Sequence, residues 1–444
     1  MIEALRNAFK LPDLRRRIFY TILILVIFRM ASNIPAPGVD RLALKDFFDA
    51  STASAGEASG LRPFIGILDL LSGGAVSNFS VLAAGVYPYV TAQLVVQLLL
   101  PIFPKLEQRV QEEGEEGQRK MNQWILYLTV PMAALQAFGQ AQLFRSATIG
   151  ARPILPNFGW GPGSTLPTIT ILATMTAGTL FAVWLGELIS EQGIGNGLSL
   201  IIFGGIVSRV PSNFGGIWQS DGVVGVLIYL AIMILTILFI VFVQDGERRI
   251  KVQYGKRVRG MKVYGGGSTY IPLKINTAGM IPLIFAQSIL AFPAVIAQFF
   301  LNNTNPTISK LASQAVSFFG GNSPWYAPIY FLAVVGFTYF YTFVMIEQQN
   351  LPEMLQKQGG FIPGVRPGKK TEEYILSIYK RITLFGALFL GTVAVLPYIV
   401  GLFMTSNQML IQSSGLLIVV GTVMDTMRQL EAQLLMRNYE GFLR

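Results

Sequence analysis

Val223-Val224-Gly225-Val226-Leu227-Ile228-Tyr229-Leu230-Ala231-Ile232-Met233-Ile234-Leu235-Thr236-Ile237-Leu238-Phe239-Ile240-Val241-Phe242-Val243 contains no charged side chain. Coiled as an α-helix it is about 32 Å long, the thickness of a bilayer hydrocarbon core, roughly 30 Å. The stretch therefore reads as a membrane span. Charge resumes immediately beyond it, in Asp245-Gly246-Glu247-Arg248-Arg249-Ile250-Lys251-Val252-Gln253-Tyr254-Gly255-Lys256-Arg257-Val258-Arg259. One span and one basic loop thus set the pattern for the whole chain.

Of the 444 residues, 52% are apolar and 13% charged, about half the charged share of an ordinary soluble domain. Hydropathy places ten spans, near 18–34, 76–100, 121–143, 166–189, 194–210, 223–243, 277–301, 325–346, 382–404 and 410–427. An even number puts both termini on one side. The expected class is an all-α integral membrane protein. Arg15, Arg16 and Arg17 before Ile18 could open a signal peptide, but the apolar run is long and Pro35-Ala36-Pro37-Gly38 offers no convincing cleavage site. An uncleaved first span is expected.

Translocating Lys and Arg is disfavoured, so their distribution orients the chain. Of the 34 basic residues, 26 fall in the N-terminus, the 2/3, 6/7 and 8/9 loops and the C-terminal tail. That side is expected to be the cytoplasm. Topology accounts for most of the net charge of +10. The dense 6/7 and 8/9 loops remain open to two readings, plain positive-inside charge or a docking surface for a large partner.

The alternation of Ile250, Val252 and Tyr254, then a glycine-containing turn and Val263, predicts a β-hairpin in water. In Phe361-Ile362-Pro363-Gly364-Val365-Arg366-Pro367-Gly368-Lys369-Lys370 two prolines and two glycines dictate turns, presenting Arg366 on a rigid loop. In the first external loop, Leu61, Phe64, Ile65, Leu68 and Leu71 share a helical face that Gly73-Gly74 terminates. Too short to span, it is either a re-entrant segment or an amphipathic helix on the outer surface.

Chemistry is narrowly bounded. With no cysteine and no histidine, thiolate, imidazole and most metal-site chemistry is closed. Arg29, Glu187 and Asp425 are the intramembrane charges, near span ends, too few for a proton relay or an intramembrane aspartyl protease. No nucleophile elbow or phosphate-binding loop occurs in a usable setting. No catalytic residue, metal or cofactor is expected.

The spans themselves are unequal. Span 2 carries Asn78, Ser80, Thr91, Gln93 and Gln97 with Pro88 inside it; span 7 carries Asn276, Thr277 and Gln287 with Pro282 and Pro293. These are the second spans of a five-plus-five division, and matched interrupted segments point to a pathway between two halves. The 4/5 connection, Trp184 to Ser199, holds Gly193, Gly195, Asn196 and Gly197. Such a turn serves close helix packing or lines a pore.

At Trp184-Leu185-Gly186-Glu187, Gly193-Ile194-Gly195-Asn196-Gly197, Ser72-Gly73-Gly74-Ala75, Pro272-Leu273-Lys274 and Pro363-Gly364-Val365-Arg366-Pro367-Gly368 the chain resembles the SecY family, the central subunits of bacterial protein-translocation channels. The resemblance covers essentially the whole chain. It implies two pseudo-symmetric inverted halves, residues 18–210 and 211–427, closed as a clamshell around a central pore. Flanking them would be a cytoplasmic N-terminus (1–17), cytoplasmic loops 244–275 and 347–381, and a cytoplasmic tail (428–444). Spans 2 and 7 become a lateral gate with Gln93, Gln97 and Asn276 as its polar residues. Val86, Val90, Leu198, Ile202, Ile284 and Ile418 become the pore ring, the first three departing from the family's usual isoleucine but keeping aliphatic character. Residues 61–75 become the plug, and Arg366, Lys256, Arg257 and Arg259 the docking sites for the ribosome or the SecA motor ATPase.

Implied further are small SecE and SecG membrane subunits, signal peptides and unfolded preproteins as cargo, and a bacterial inner membrane as setting. A secondary transporter for a small solute also suits ten spans and an inverted repeat. A non-conducting scaffold would explain the loops but not the interrupted spans.

Overall fold

The computed structural model describes residues 9–44, 46, 72, 74–76, 78–103, 113–146, 153–161, 163–254, 257–259, 262–264, 267–279, 281–298, 300, 305–319, 323–349, 351–403 and 412–442. The first half contributes α1 (Pro12–Ala31), α2 (Tyr87–Ile102), α3 (Glu115–Ser146), α4 (Thr165–Gln192) and α5 (Gly197–Val207). The second contributes α6 (Val210–Asp245), then β1 (Glu247–Tyr254), β2 (Arg257–Arg259), β3 (Lys262–Tyr264) and β4 (Ser268–Lys274). It continues through α7 (Ile281–Gln298), α8 (Pro306–Phe319), α9 (Tyr326–Gln349), α10 (Leu351–Lys357), β5 (Gly360–Phe361), α11 (Lys369–Phe403) and α12 (Gln412–Phe442).

A helix stands at every expected span, and packing sorts the helices into two groups. In the first, α3 packs on α2 and α4, and α1 on α4 and α5; in the second, α9 packs on α7 and α11, and α12 on α6 and α11. The groups meet along two seams. One joins α5 to α12 broadly, and the other joins α2 to α7 through a much thinner contact. Two halves joined firmly on one side and thinly on the other form a clamshell.

Lipid explains an inverted burial pattern. The stretch after Gly222 in α6 is among the most apolar in the chain, yet only 17% of its most apolar window is buried, against 61% for α11. Leu227, Leu235, Leu238 and Phe242 are all exposed along it. Water would not tolerate such a face, whereas hydrocarbon does. Among the described residues four helices, in α4, α6, α9 with its continuation and α11, are long and apolar enough to cross on their own. The others are shorter or more polar, as helices shielded by protein can be.

Several boundaries depart from the hydropathy reading. Residues 78–86, expected as the start of span 2, form turns and one isolated bridge rather than helix, because Gly85 has φ +56° and Pro88 lacks the amide needed to extend the helix backwards. The turns are buried, and their backbone is satisfied by neighbours: Ala36 N–H donates to Phe79 O at 2.9 Å and Val81 N–H to Ile34 O at 2.9 Å. Irregular backbone at membrane depth survives only when covered in this way. Helix α6 starts thirteen residues earlier than expected and is two helices joined at Gly222, whose φ is +65°. Helix α11 begins in the expected 8/9 loop, and α12 runs on to Phe442 through the expected tail.

Candidate functional site

Two short-range patterns build the centre. Val86 is the residue that precedes α2 and Val90 lies in its first turn, while Leu198 and Ile202, four apart at the start of α5, project from one face of that helix. Ile284 on α7 and Ile418 on α12 arrive from the other half, and all six side chains belong to one apolar cluster. Val86, Ile202, Ile284 and Ile418 are no more than 4% exposed; Val90 and Leu198 are partly buried. An ion entering this centre would lose its water and find no ligand in exchange.

Polar groups continue the same stripes. Gln93 and Gln97 follow Val90 by three and seven residues on α2, and Gln287 follows Ile284 by three on α7. Among the described residues the side-chain oxygens of Gln97, Gln287 and Asn276 are buried without a hydrogen-bond partner, although Asn276 Nδ2 donates to Gly279 O at 3.1 Å. Around them the seam is a small apolar patch of Val90, Leu94, Ala278, Ile281, Phe285 and Tyr341. A thin contact with unpaired amide oxygens gives weak adhesion.

The 4/5 turn packs tightly. Asn196 caps α5 by accepting from Ser199 N–H at 3.2 Å, and Ser190 Oγ accepts from Gly197 N–H at 2.9 Å. A Cβ at Gly193 would meet Thr21 Oγ1 at 2.5 Å, one at Gly195 would meet Thr426 Oγ1 at 2.8 Å, and one at Gly197 would collide with the Gly186 carbonyl. The glycines let α1 and α12 close on the turn from both sides. Of the two readings of this turn, the glycines themselves follow packing, while Leu198 beyond them reaches the centre.

Leu61, Phe64, Ile65, Leu68 and Leu71 lie outside the described residues, as does Lys256. The end of their segment is described at Gly74, where φ is +88° and Arg209 Nη2 donates to the carbonyl at 3.3 Å. Any side chain at 74 would strike the Arg209 guanidinium.

On the basic side the two loops, read separately in the sequence, form one packed unit. Strand β1 pairs antiparallel with β4, from Glu247 opposite Lys274 to Gln253 opposite Ser268, and on its other edge with β5 through Gln253 and Phe361. The expected hairpin is thus corrected: β1 pairs with β4, while Val263 in β3 faces Val258 in a separate ribbon holding Arg257 and Arg259. Beneath the sheet lies its own core of Ile250, Val252, Leu273, Leu355, Ile362, Ile375 and Tyr379. Arg366 stands exposed on the turn between β5 and α11, its carbonyl accepting from Thr371 Oγ1 at 2.9 Å. The loop is held by a core, as its prolines and glycines implied.

Hydropathy alone does not reveal the C-terminal extension of α12 beyond the expected span. Leu430 packs with Leu14 and Ile194, and Leu434 joins them; the apolar residues at four-residue spacing were the available signal.

A lipid-exposed shell, two halves with one thin seam and an aliphatic centre fed from both halves define a multi-pass membrane channel of the clamshell class. The comparisons with known proteins narrow the class. The family described as SecY matches residues 80–427. The protein translocase subunit SecY of Halalkalibacterium halodurans is 41% identical over 456 aligned residues, covering all of both chains. That of Thermus thermophilus is 41% identical, covering all of this chain and 98% of its own. Among solved structures, one described as a protein conducting channel has a TM-score of 0.58 at 17% identity, covering 94% of this chain and 92% of that one. A Sec61 channel from a canine ribosome-channel complex has a TM-score of 0.57 at 17% identity. The structural likeness establishes the fold, and the sequence likeness the family. The chain belongs to the SecY family, and is a protein-translocation channel subunit rather than a secondary transporter.

Proposed function

We propose that this chain conducts unfolded secretory polypeptides across the bacterial cytoplasmic membrane and releases transmembrane segments into lipid through the α2/α7 seam. The observation that carries the reading is the convergence of Val86, Val90, Leu198, Ile202, Ile284 and Ile418, from four helices of both halves, in one closed aliphatic cluster. Such a ring seals against ions at rest yet offers a passing chain no hydrogen-bonding group to stick to. Gln93, Gln97 and Asn276 are the polar residues of the gate, and residues 61–75 the external plug. The two halves are residues 18–210 and 211–427.

The cytoplasmic unit is the docking face. Its Arg366, Lys256, Arg257 and Arg259 would meet the acidic surface of a SecA-type motor or ribosomal RNA phosphates, the latter binding weakening steeply with salt. SecE and SecG are the companion subunits, and both termini are cytoplasmic. The chain performs no catalysis and holds no cofactor; energy comes from the partner. The test is an arrested, signal-bearing chain carrying a photoreactive group in its signal segment. Cross-links to both α2 and α7 are expected, and cross-links to neither would overturn the gate.

A further inference from the structure

Helix α6 ends at Asp245 with no basic residue in its own last turn, so its terminal carbonyls and partial negative charge receive no cation from their own segment. Arg428 on α12 supplies one. Its Nη2 donates to Gln244 O at 3.1 Å and to Asp245 Oδ1 at 3.2 Å. One turn pair earlier on the same face of α12, a Cβ at Gly421 would lie 3.3 Å from Gln244 Nε2. The two helices are therefore in register around Gln244.

This clasp lies between two parts already described. In one direction β1 leaves at Glu247, and Ile275 at the end of β4 donates to Gly246 O at 2.9 Å, so both long strands of the sheet are rooted at the clasped end of α6. In the other direction Ile418 lies ten residues back along α12, about 15 Å of continuous helix. Thr426 against Gly195, and Leu430 against Leu14 and Ile194, hold that helix on the first half.

We propose that Arg428 is a positioning residue that carries displacement of the cytoplasmic sheet, when a large partner docks there, to Ile418 in the aliphatic centre. The inference rests on the docking-face and ring readings above. Arg428 works by geometry more than by strength. An ion pair with an exposed aspartate adds little, but the second bond to a backbone carbonyl fixes the end of α6 relative to α12. A rigid helix then passes the shift to the ring.

The test titrates motor against the full channel with its companion subunits in proteoliposomes supplied with ATP. Arg428→Gln is expected to keep the half-saturating motor concentration and lower the maximal translocation rate roughly threefold or more, the order seen for coupling residues that touch neither ligand. Arg428→Lys should restore most of the rate, since an ammonium still reaches the Gln244 carbonyl. Asp245→Asn, which keeps that carbonyl bond, should fall less than Arg428→Gln and serves if the latter folds poorly. A raised half-saturating concentration with an intact maximal rate, no change in either quantity, or no rescue by lysine would overturn the proposal. Failure of the docking reading shows separately, as unaltered motor binding in Arg366→Glu.

Discussion

The α2/α7 seam should be tightened by making it less polar. Gln287 is 5% exposed and its Oε1 has no hydrogen-bond partner among the described residues. A buried amide left in that state costs about 1–3 kcal/mol relative to a paired or hydrated one. Gln287→Leu removes that penalty from the closed state, while in the open state the glutamine could meet water or the passing chain and so loses more than it gains. The closed form should be favoured by about fivefold to a hundredfold, at 1.4 kcal/mol per tenfold. Reconstituted translocation, with the lag before the first protected cargo measured separately from later elongation, should show slower initiation and unchanged elongation. Gln140→Leu is the control. Gln140 also buries an unpaired Oε1, but its Nε2 donates to Ala83 O at 3.4 Å, and it lies on α3, away from the seam. That variant should alter stability without altering initiation. Unchanged or faster initiation in Gln287→Leu would refute the argument that unpaired seam amides bias the gate toward opening.

Three further outcomes are expected. Gly197→Ala should fail to accumulate as protease-resistant protein, because the new methyl collides with the Gly186 carbonyl and lies 2.8 Å from Ile189 Cβ; normal accumulation would show that the 4/5 turn can relax. Ile284→Ala combined with Ile418→Ala opens a cavity at a centre whose native side chains are nearly inaccessible, and should raise ion leakage of the reconstituted channel while costing about 2–5 kcal/mol per site if additive. Leakage that stays at background would remove these two from the ring. Arg366→Glu should abolish motor-driven translocation with the protein still folded in the membrane, since the side chain is exposed and the turn beneath it is held by the Thr371 hydroxyl, which donates to the Arg366 carbonyl; translocation at the normal rate would end its docking role.

Much was legible from sequence because bilayer physics writes itself into composition. A segment such as 223–243 must be apolar throughout to cross hydrocarbon, and the excluded Lys and Arg must collect on one side. The span number, the expected orientation and the unusual character of spans 2 and 7 follow from those local requirements. So does the rigidity of the turn carrying Arg366, because proline and glycine act on their own backbone. Other features depend on residues far apart in the chain, and no periodicity records them. Turns replace helix at 78–86, where Ile34 and Ala36, in the segment after α1, pair with the freed backbone groups of Val81 and Phe79. Strand β1 chose β4 and β5 over the nearer β3 because only a sheet of that width covers the core of Ile250, Val252 and Leu355. The grip of Arg428 on the end of α6 joins residues 183 and 184 positions apart. Sequence by itself thus determined that the chain spans the membrane and which of its spans are atypical. Only the tertiary structure decided that six aliphatic side chains from both halves meet in one buried cluster and that two loops pack as a single sheet-and-helix unit, because burial and pairing are properties of the surroundings a residue is folded into.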